Sequence, residues 1–362
     1  MKALLLSEYS HLEIRDIAKP EPGAGELLIA VAACGICGSD VHGFDGGSGR
    51  RIPPLVMGHE AAGVVERVGA GVTRFRMGDR VTFDSTVYCG ACVYCARGEI
   101  NLCDRREVVG VSCKEFRRDG AFAEYVTVPE RIVYGLPAEM EFAEAAMLEA
   151  VAVALHAAHL AAMDPDGTAV VIGAGMIGLL TMQAALALGW KRVVVADVDR
   201  TRLAMAESLG ASETLLASGE ELARQVKELT DGHGAGVVFE AVGRDETVTA
   251  AVDAVRKGGT VVLVGNITPE VTLPLQKVVS RQIRLQGSCA SCGEYPEAIA
   301  MVSSGQIRVK RLITAVASLE DGAGWFARLH AREPNLMKIV LDPRLAPRLD
   351  SGLDSGKSEA RL

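Results

Sequence analysis

Apolar positions recur along this chain in two rhythms. Over the first third they form short runs bounded by glycine and proline. Residues 2–6 are apolar, 12–14 alternate, and 26–33 form a longer run, with Pro20-Glu21-Pro22-Gly23 as a turn between them. Glycine-bounded runs continue through 58–65, 68–69 and 78–81, and 120–128 reads as a strand returning to the same body. This rhythm predicts a small all-β barrel. A helix-like segment at 142–162 leads into the second rhythm, in which β-branched runs alternate with helical ones. Strands are expected at 169–172, 193–197, 237–240, 260–264 and 283–287. Helices are expected at 176–188, 200–209, 220–229 and 246–256. Repeated strand–helix units predict an α/β domain with a doubly wound parallel sheet. Helical segments follow at 295–303 and 319–331. A terminal strand at 337–341 is expected to rejoin the first domain. From Pro343 the chain turns polar and reads as a disordered tail. No internal repeat is present.

The junction from strand to helix carries the first chemistry. Residues 169–172 run into Gly173-Ala174-Gly175-Met176-Ile177-Gly178, and Asp197 ends the next strand nineteen residues after Gly178. Gly173 permits the tight turn, Gly175 lets backbone approach a pyrophosphate, and Gly178 lets the helix pack close to the strand. The helix N-terminus offers N–H groups and a positive dipole end to phosphates. Asp197 is placed to accept from the adenosine ribose hydroxyls, and its charge repels a 2′-phosphate, so NAD is the expected cofactor. Arg200 and Arg202 argue the other way, since arginines there can bind the 2′-phosphate of NADP.

Composition narrows the class. The chain has 362 residues, enough for two or three domains, and 49% of them are hydrophobic. A net charge of −8 argues against a nucleic-acid partner. No signal peptide is legible, because Ser7 and Glu8 break the run after Lys2. The apolar stretch 145–163 is interrupted by Glu149, His156 and His159, so no membrane span is expected. A cytoplasmic protein is the reading. In that setting nine cysteines suggest metal or catalysis before disulfides.

Four of those cysteines, Cys89, Cys92, Cys95 and Cys103, follow the spacing C-x2-C-x2-C-x7-C. Four thiolates on one loop close a tetrahedral Zn²⁺ sphere, which makes a structural site. Reduced buried cysteines and an iron–sulfur cluster are the alternatives; a cluster would absorb visible light. Two further patterns hold metal-ligating side chains: Cys34-Gly35-Ile36-Cys37-Gly38-Ser39-Asp40-Val41-His42 and Gly58-His59-Glu60. Cys34 reads as a small apolar packing residue.

The order of these motifs, GHE, four-cysteine loop, GxGxxG and acidic residue, resembles the zinc-dependent medium-chain dehydrogenases. The resemblance covers the chain to about Asp342. It is nearest to the polyol branch, which includes sorbitol (L-iditol) and galactitol-phosphate dehydrogenases, with butanediol and threonine dehydrogenases nearby; the stretch 287–314 is similar to that branch too. It implies a GroES-like β-barrel catalytic domain over 1–155 with a zinc lobe at about 88–104. A Rossmann NAD-binding domain over 156–290, a return to the catalytic domain over 291–342 and the tail 343–362 complete it. It implies two zincs per chain and a homodimer or homotetramer.

Alcohol oxidation requires hydride removal from carbon and proton removal from oxygen. A Lewis acid lowers the alcohol's pKa, and a catalytic zinc needs about three protein ligands and one open position. Cys37 and His59 are candidates for two. Many family members use a second cysteine as the third, but none lies between Cys113 and Cys289. The resemblance places a glutamate ligand at Glu149 instead, which would leave the site formally neutral. A solvent-facing Glu149 is the plainer alternative. For Glu60 the resemblance suggests a carboxylate of the catalytic zinc site that approaches the metal during ligand exchange or holds it through water; a supporting carboxylate behind the ligands is the alternative. The resemblance gives Ser39 and His42 a proton relay through the nicotinamide ribose, and histidine suits the exit because an unperturbed imidazole titrates near neutrality. A turn serine and a surface histidine are the bland alternatives.

By position in the family, Ile177 lies over the pyrophosphate turn beside Met176, and Arg202 near the adenosine ribose. Val264-Gly265-Asn266 and Ser288-Cys289-Ala290 match segments that touch the nicotinamide half. The chain departs from animal sorbitol dehydrogenases at Ala290 and Ser291, where they carry an arginine–tyrosine pair. They also lack the cysteine lobe, which brings this chain closer to bacterial relatives. Arg50 and Arg51 are either contacts for a substrate phosphate or a solvated surface pair. The expected activity is oxidation of a polyol or sugar alcohol to the ketose with NAD. Butanediol, threonine or another simple secondary alcohol is the alternative substrate. A non-catalytic NAD-binding zinc redox sensor and a zinc-free quinone reductase are rivals that do not need Cys37, His59 and Glu149 together.

Overall fold

The computed structural model describes residues 1–164 and 167–347. The strand Glu26–Gly35 is the axis of the first domain. Its burial is almost continuous, because it is covered on both faces and paired on both edges. It runs antiparallel to Glu60–Val68 on one side, and to Tyr125–Pro129 and Lys338–Asp342 on the other. Arg80–Phe83, Val133–Gly135 and Ile313–Ser318 complete this seven-stranded sheet. The expected terminal strand therefore does return to the first domain, placing Val340 and Leu341 opposite Gly35 and Cys34. Cys34 is fully buried, as its apolar reading requires.

The second domain is a six-stranded, wholly parallel sheet. From one edge its strands are Glu213–Leu216, Arg192–Asp197, Thr168–Ile172, Ala235–Glu240, Val255–Leu263 and Arg284–Gly287. The order reverses between Thr168–Ile172 and Ala235–Glu240, which opens a crevice at their carboxyl ends. The glycine turn sits at that reversal. Gly173 has φ of +99°, in the region that favours glycine. A Cβ on Gly178 would lie 1.7 Å from the Gly173 carbonyl oxygen. A Cβ on Gly175 would meet nothing within 4 Å, so it would project into the open crevice.

Three expected elements differ in detail. The helix at 142–162 is two helices, Phe142–Ala145 and Leu148–His159. The chain turns at Ala146 and Met147, which sets Glu149 in the first turn of the longer helix. That helix is apolar nearly all round because it is sandwiched in the core with Met176–Ala187. The stretch Phe142–His159 is apolar and long enough to cross a bilayer by composition, but most of it is buried inside the protein. The helix at 246–256 ends at Ala254, because Val255 leaves the helical region and pairs with Ala235. The helix at 319–331 is Gly322–His330, preceded by a turn in which the Gly322 N–H donates to the Leu319 carbonyl. Of the segment read as a disordered tail, residues 348–362 lie outside the described residues.

The contact at Gly178 yields a direct expectation. Gly178→Ala forces helix and turn apart at a cost of about 1–3 kcal/mol. Thermal unfolding should shift down and NADH binding, followed by fluorescence, should weaken. Unchanged values for both would show that the close approach is not needed.

Candidate active site and metal centres

Cys37, His59 and Glu60 come together although they lie on separate segments. One ligand atom from each falls within 4.8 Å of the others. Cys37 caps the short helix Gly38–Phe44, and its sulfur accepts from the Ser39 N–H and the Ser39 hydroxyl at 3.4 and 3.3 Å. His59 follows Gly58, whose φ of +94° turns the chain into the strand Glu60–Val68. Glu60 opens that strand opposite Gly35, where a Cβ would sit 2.2 Å from a Glu60 carboxylate oxygen. Only glycine at 35 leaves room for the carboxylate.

Two buried cations organise this cluster, and neither was legible as such in the sequence. Lys338 donates to both Glu60 oxygens at 2.6 and 2.8 Å and to the Ile36 carbonyl at 3.2 Å. Burial alone would lower the Lys338 pKa; the Glu60 and Cys37 charges outweigh it and hold it above the ordinary value. Arg51 grips one oxygen of the fully buried Asp40 through two N–H groups at 2.9 and 3.1 Å. It also reaches the Ser39 hydroxyl oxygen at 3.2 Å. Arg51 is therefore neither a solvated residue nor free for a phosphate, which corrects both sequence readings of it. Arg50 stays exposed.

Asp40 also faces the Nδ1 atom of His59 at 3.4 Å, which leaves the opposite ring nitrogen for a metal. Burial would raise the Asp40 pKa, but His59 and Arg51 hold it well below the usual carboxylate range. Burial would likewise lower the His59 pKa, and Asp40 followed by Cys37 raise it well above the ordinary value. The field that favours a proton on this imidazole is the field that favours a divalent cation in its place. Glu149 lies outside the tight group but within electrostatic reach of His59 and Glu60. Burial pushes its carboxyl up to about 7, with His59 opposing and Glu60 adding to the shift. A thiol, an imidazole and carboxylates in this field fit a zinc centre.

The four-cysteine lobe fits zinc on simple geometry. Its four sulfurs lie within 4.8 Å of one another, with Cys92 to Cys95 at 3.5 Å and Cys89 to Cys95 at 4.0 Å. Tetrahedral Zn–S bonds of about 2.3 Å give S–S edges of about 3.8 Å. Disulfide sulfurs sit at about 2.05 Å, and all nine cysteines are free thiols. Backbone N–H groups of Cys89 and Ala91 already donate to the Cys103 and Cys89 sulfurs.

The lobe is fastened to the segment that was expected beside the nicotinamide. The Asn101 amide donates to the Cys289 carbonyl at 2.8 Å, and Arg106 donates to the Cys289 sulfur at 3.1 Å. His156 sits between Glu294, at 2.7 Å, and Asn101, at 3.3 Å. Ala290 has φ of +53°, an uncommon conformation for a residue with a side chain. Its neighbour Ser291 donates to the buried Asp84 at 3.2 Å. Burial pushes Asp84 up to about 6.

The remaining expected residues are spread over both domains. Met176, Ile177 and Gly178 open a helix with no side-chain cap, so its first N–H groups face the cleft. Val264, Gly265 and Asn266 follow the strand Val255–Leu263, where a Cβ on Gly265 would strike Val242. The Ser288 hydroxyl is buried without a partner, as a group awaiting a ligand would be. Asp197 is committed to the turn, accepting from the Ala174 N–H at 2.6 Å and the Asp199 N–H at 2.9 Å. Arg202 is exposed beside Asp199. Ser39 and His42 are exposed on the short helix that Cys37 caps.

Comparisons with known proteins agree with this geometry. Residues 23–138 match the alcohol dehydrogenase GroES-like domain, and residues 177–304 match the zinc-binding dehydrogenase model. The chain is 38% identical to an uncharacterized zinc-type alcohol dehydrogenase-like protein of Escherichia coli, over 89% of this chain and 93% of that protein. It is 30% identical to sorbitol dehydrogenase of Bacillus subtilis, over 95% and 97%. Among solved structures, an Escherichia coli oxidoreductase/dehydrogenase of unknown specificity superposes with a TM-score of 0.89 at 34% identity, over 94% and 98%. Galactitol-1-phosphate dehydrogenase from Escherichia coli does so with 0.86 at 29%, over 95% and 100%.

The role of Asp40 can be read through metal retention. Asp40→Asn should weaken zinc binding at the cluster by roughly 10–100-fold. Metal content after dialysis against graded chelator reports it. Retention equal to wild type would make Asp40 a packing residue only.

Proposed function

The chain belongs to the zinc-containing medium-chain alcohol dehydrogenases, and from that premise we propose that it oxidises a secondary hydroxyl of a polyol or sugar alcohol to the ketone with NAD. The observation that supports this reading is the convergence of Cys37, His59 and Glu60, with Glu149 within electrostatic reach of His59 and Glu60. Cys37, His59 and Glu149 are the residues proposed to hold a catalytic zinc, and Cys89, Cys92, Cys95 and Cys103 a structural one. When bound, zinc supplies a Lewis acid that lowers the pKa of the substrate hydroxyl. The nicotinamide supplies the hydride acceptor.

The protein's own groups then position and deprotonate. The Ser39 hydroxyl, which accepts from Arg51 and donates to the Cys37 sulfur, is the group proposed to take the proton from the substrate oxygen. His42, exposed on the same helix, is the group proposed to release it to solvent. Glu60 stays with Lys338 and fixes the strand on which His59 enters. The glycine turn and the helix at Met176 receive the pyrophosphate, and Asp197 disfavours a 2′-phosphate. Polyols come first because a relative is a sorbitol dehydrogenase. Ala290 and Ser291 remove the basis for naming sorbitol itself.

The test is NADH or NADPH formation by zinc-loaded protein on sugar alcohols, butanediols, threonine and simple secondary alcohols. Polyol oxidation with NAD preferred is expected. Preference for NADP or for butanediol would overturn that part of the reading. Glu149→Ala should reduce zinc from two per chain to one, leaving the lobe metal in place. Two zincs in that variant would remove Glu149 from the ligand set.

A further inference from the structure

We infer that Glu240 is a specificity-determining residue of the cofactor site, whose buried charge raises the affinity for the oxidised, cationic nicotinamide over the reduced, neutral one. This deepens the dehydrogenase reading above and rests on its dinucleotide crevice. Glu240 is fully buried at the carboxyl end of the strand Ala235–Glu240.

The sheet sets this residue on the nicotinamide side. Ala235–Glu240 and Thr168–Ile172 flank the point where the strand order reverses, and Glu240 lies level with Ile172, the residue before the glycine turn. Neighbouring strands are about 4.8 Å apart. A dinucleotide crosses such a reversal with its pyrophosphate at the glycine turn and one nucleotide over each half of the sheet. The adenosine half goes with the acidic residue that ends the next strand. That residue is Asp197, on the opposite side of Thr168–Ile172 from Glu240. The nicotinamide half then lies over the carboxyl ends of Ala235–Glu240 and Val255–Leu263.

One residue builds that wall. The Glu240 carboxylate accepts the Val242 N–H at 2.9 Å and the Gly243 N–H at 2.8 and 3.0 Å. Its backbone carbonyl accepts the Val264 and Gly265 N–H groups, both at 2.9 Å. The two loops interlock, since a Cβ on Gly243 would lie 2.4 Å from the Asn266 nitrogen. A Cβ on Gly173 would lie 2.6 Å from a Val242 methyl, so the same wall abuts the pyrophosphate turn. Burial raises the Glu240 pKa, and donors from Gly243, Thr247 and Val242 oppose the rise. Among the described residues no cation neutralises it. Backbone N–H groups supply partial charges only, so a negative charge remains in the wall, where screening by water is weak. The pyrophosphate charge is the same in both redox states. The ring charge is the difference that a carboxylate here can read, and the bias favours exchange of reduced cofactor for oxidised after each turnover.

The test measures the dissociation constants of NAD⁺ and NADH for the zinc-loaded protein without substrate, by calorimetry and by NADH fluorescence. Glu240→Gln, which keeps the shape and removes the charge, should weaken NAD⁺ by about fivefold or more and leave NADH within about twofold. Glu240→Asp, which keeps the charge, should leave the ratio of the two constants near wild type. A wall that is merely loosened weakens both forms alike. An unchanged ratio in Glu240→Gln therefore overturns the inference, as does an equal change of ratio in Glu240→Asp. Thermal unfolding reports whether each variant folds. If Glu240→Gln does not, Thr247→Lys sets an ammonium beside the carboxylate and should lower NAD⁺ affinity relative to NADH; an unchanged ratio there overturns the inference. If wild type binds neither form, the dinucleotide reading fails and the inference with it. If it binds both and oxidises no alcohol, the dehydrogenase reading fails and the ratio still decides Glu240.

Discussion

The structure depends on a buried ion pair. Lys338 and Glu60 are both almost wholly removed from water, and each is tolerable there only because the other is present. Glu60 starts the strand that His59 leads into, and Lys338 starts the strand that brings the chain back from the nucleotide-binding domain. One interaction therefore closes the fold and fixes the floor of the catalytic cluster. Losing one partner of such a pair costs about 3–5 kcal/mol, because the other charge is stranded. Asp40 and Arg51 repeat the arrangement on the other side of His59. The cluster is thus a set of metal-ligating atoms held between two desolvated charge pairs, which limits how far any of them can relax.

The same economy of position joins the two domains. The lobe carrying Cys89 to Cys103 lies in sequence between barrel strands, but its Asn101 and Arg106 hold Cys289. Ser291 is held by Asp84, which follows the barrel strand Arg80–Phe83. Ala290, between two tethered neighbours, keeps a left-handed backbone conformation that an untethered chain would leave. The lobe's thiols are 3.5–4.0 Å apart at the contacts measured, a spacing that a tetrahedral metal would lock. A metal bound there would also stiffen Asn101, and through it the edge of the crevice. The four-cysteine lobe and the segment from Cys289 to Ser291 are mechanically one region.

What the sequence revealed was what is local. The glycine turn, the four-cysteine spacing and the GHE motif each compress their chemistry into fewer than twenty residues, so spacing alone exposes them. The strand and helix rhythms did the same for the parallel sheet. Lys338 and Asn101 were not legible, because their partners are far off in the chain; Arg51 lies only 11 residues from Asp40, but no spacing rule marks that pair. Lys338 and Glu60 are 278 residues apart, and Asn101 and Cys289 are 188. Asp40 did leave a trace, as a charged residue three positions after Cys37, but nothing in the spacing distinguishes an orienting carboxylate from an exposed one. The break after Ala145 was hidden because both halves of that segment are equally apolar. The end of the helix at Ala254 was hidden because a valine continues either a helix or a strand.

Two carboxylates are candidates for the third ligand of the proposed zinc site, and their partners differ. Glu60 is the nearer to Cys37 and His59, which on distance alone would make it the ligand. Both of its oxygens, however, already accept from Lys338 at 2.6 and 2.8 Å. To bind a metal it would have to abandon an ammonium buried beside it, leaving that charge stranded. Among the described residues no cation is bonded to Glu149. It enters from the first turn of its helix, where the dipole already favours negative charge, and it faces the same imidazole. Distance measured without the metal favours Glu60, whereas the cost of freeing each carboxylate favours Glu149. A divalent cation answers the charge that Glu149 lacks and duplicates the one that Glu60 has.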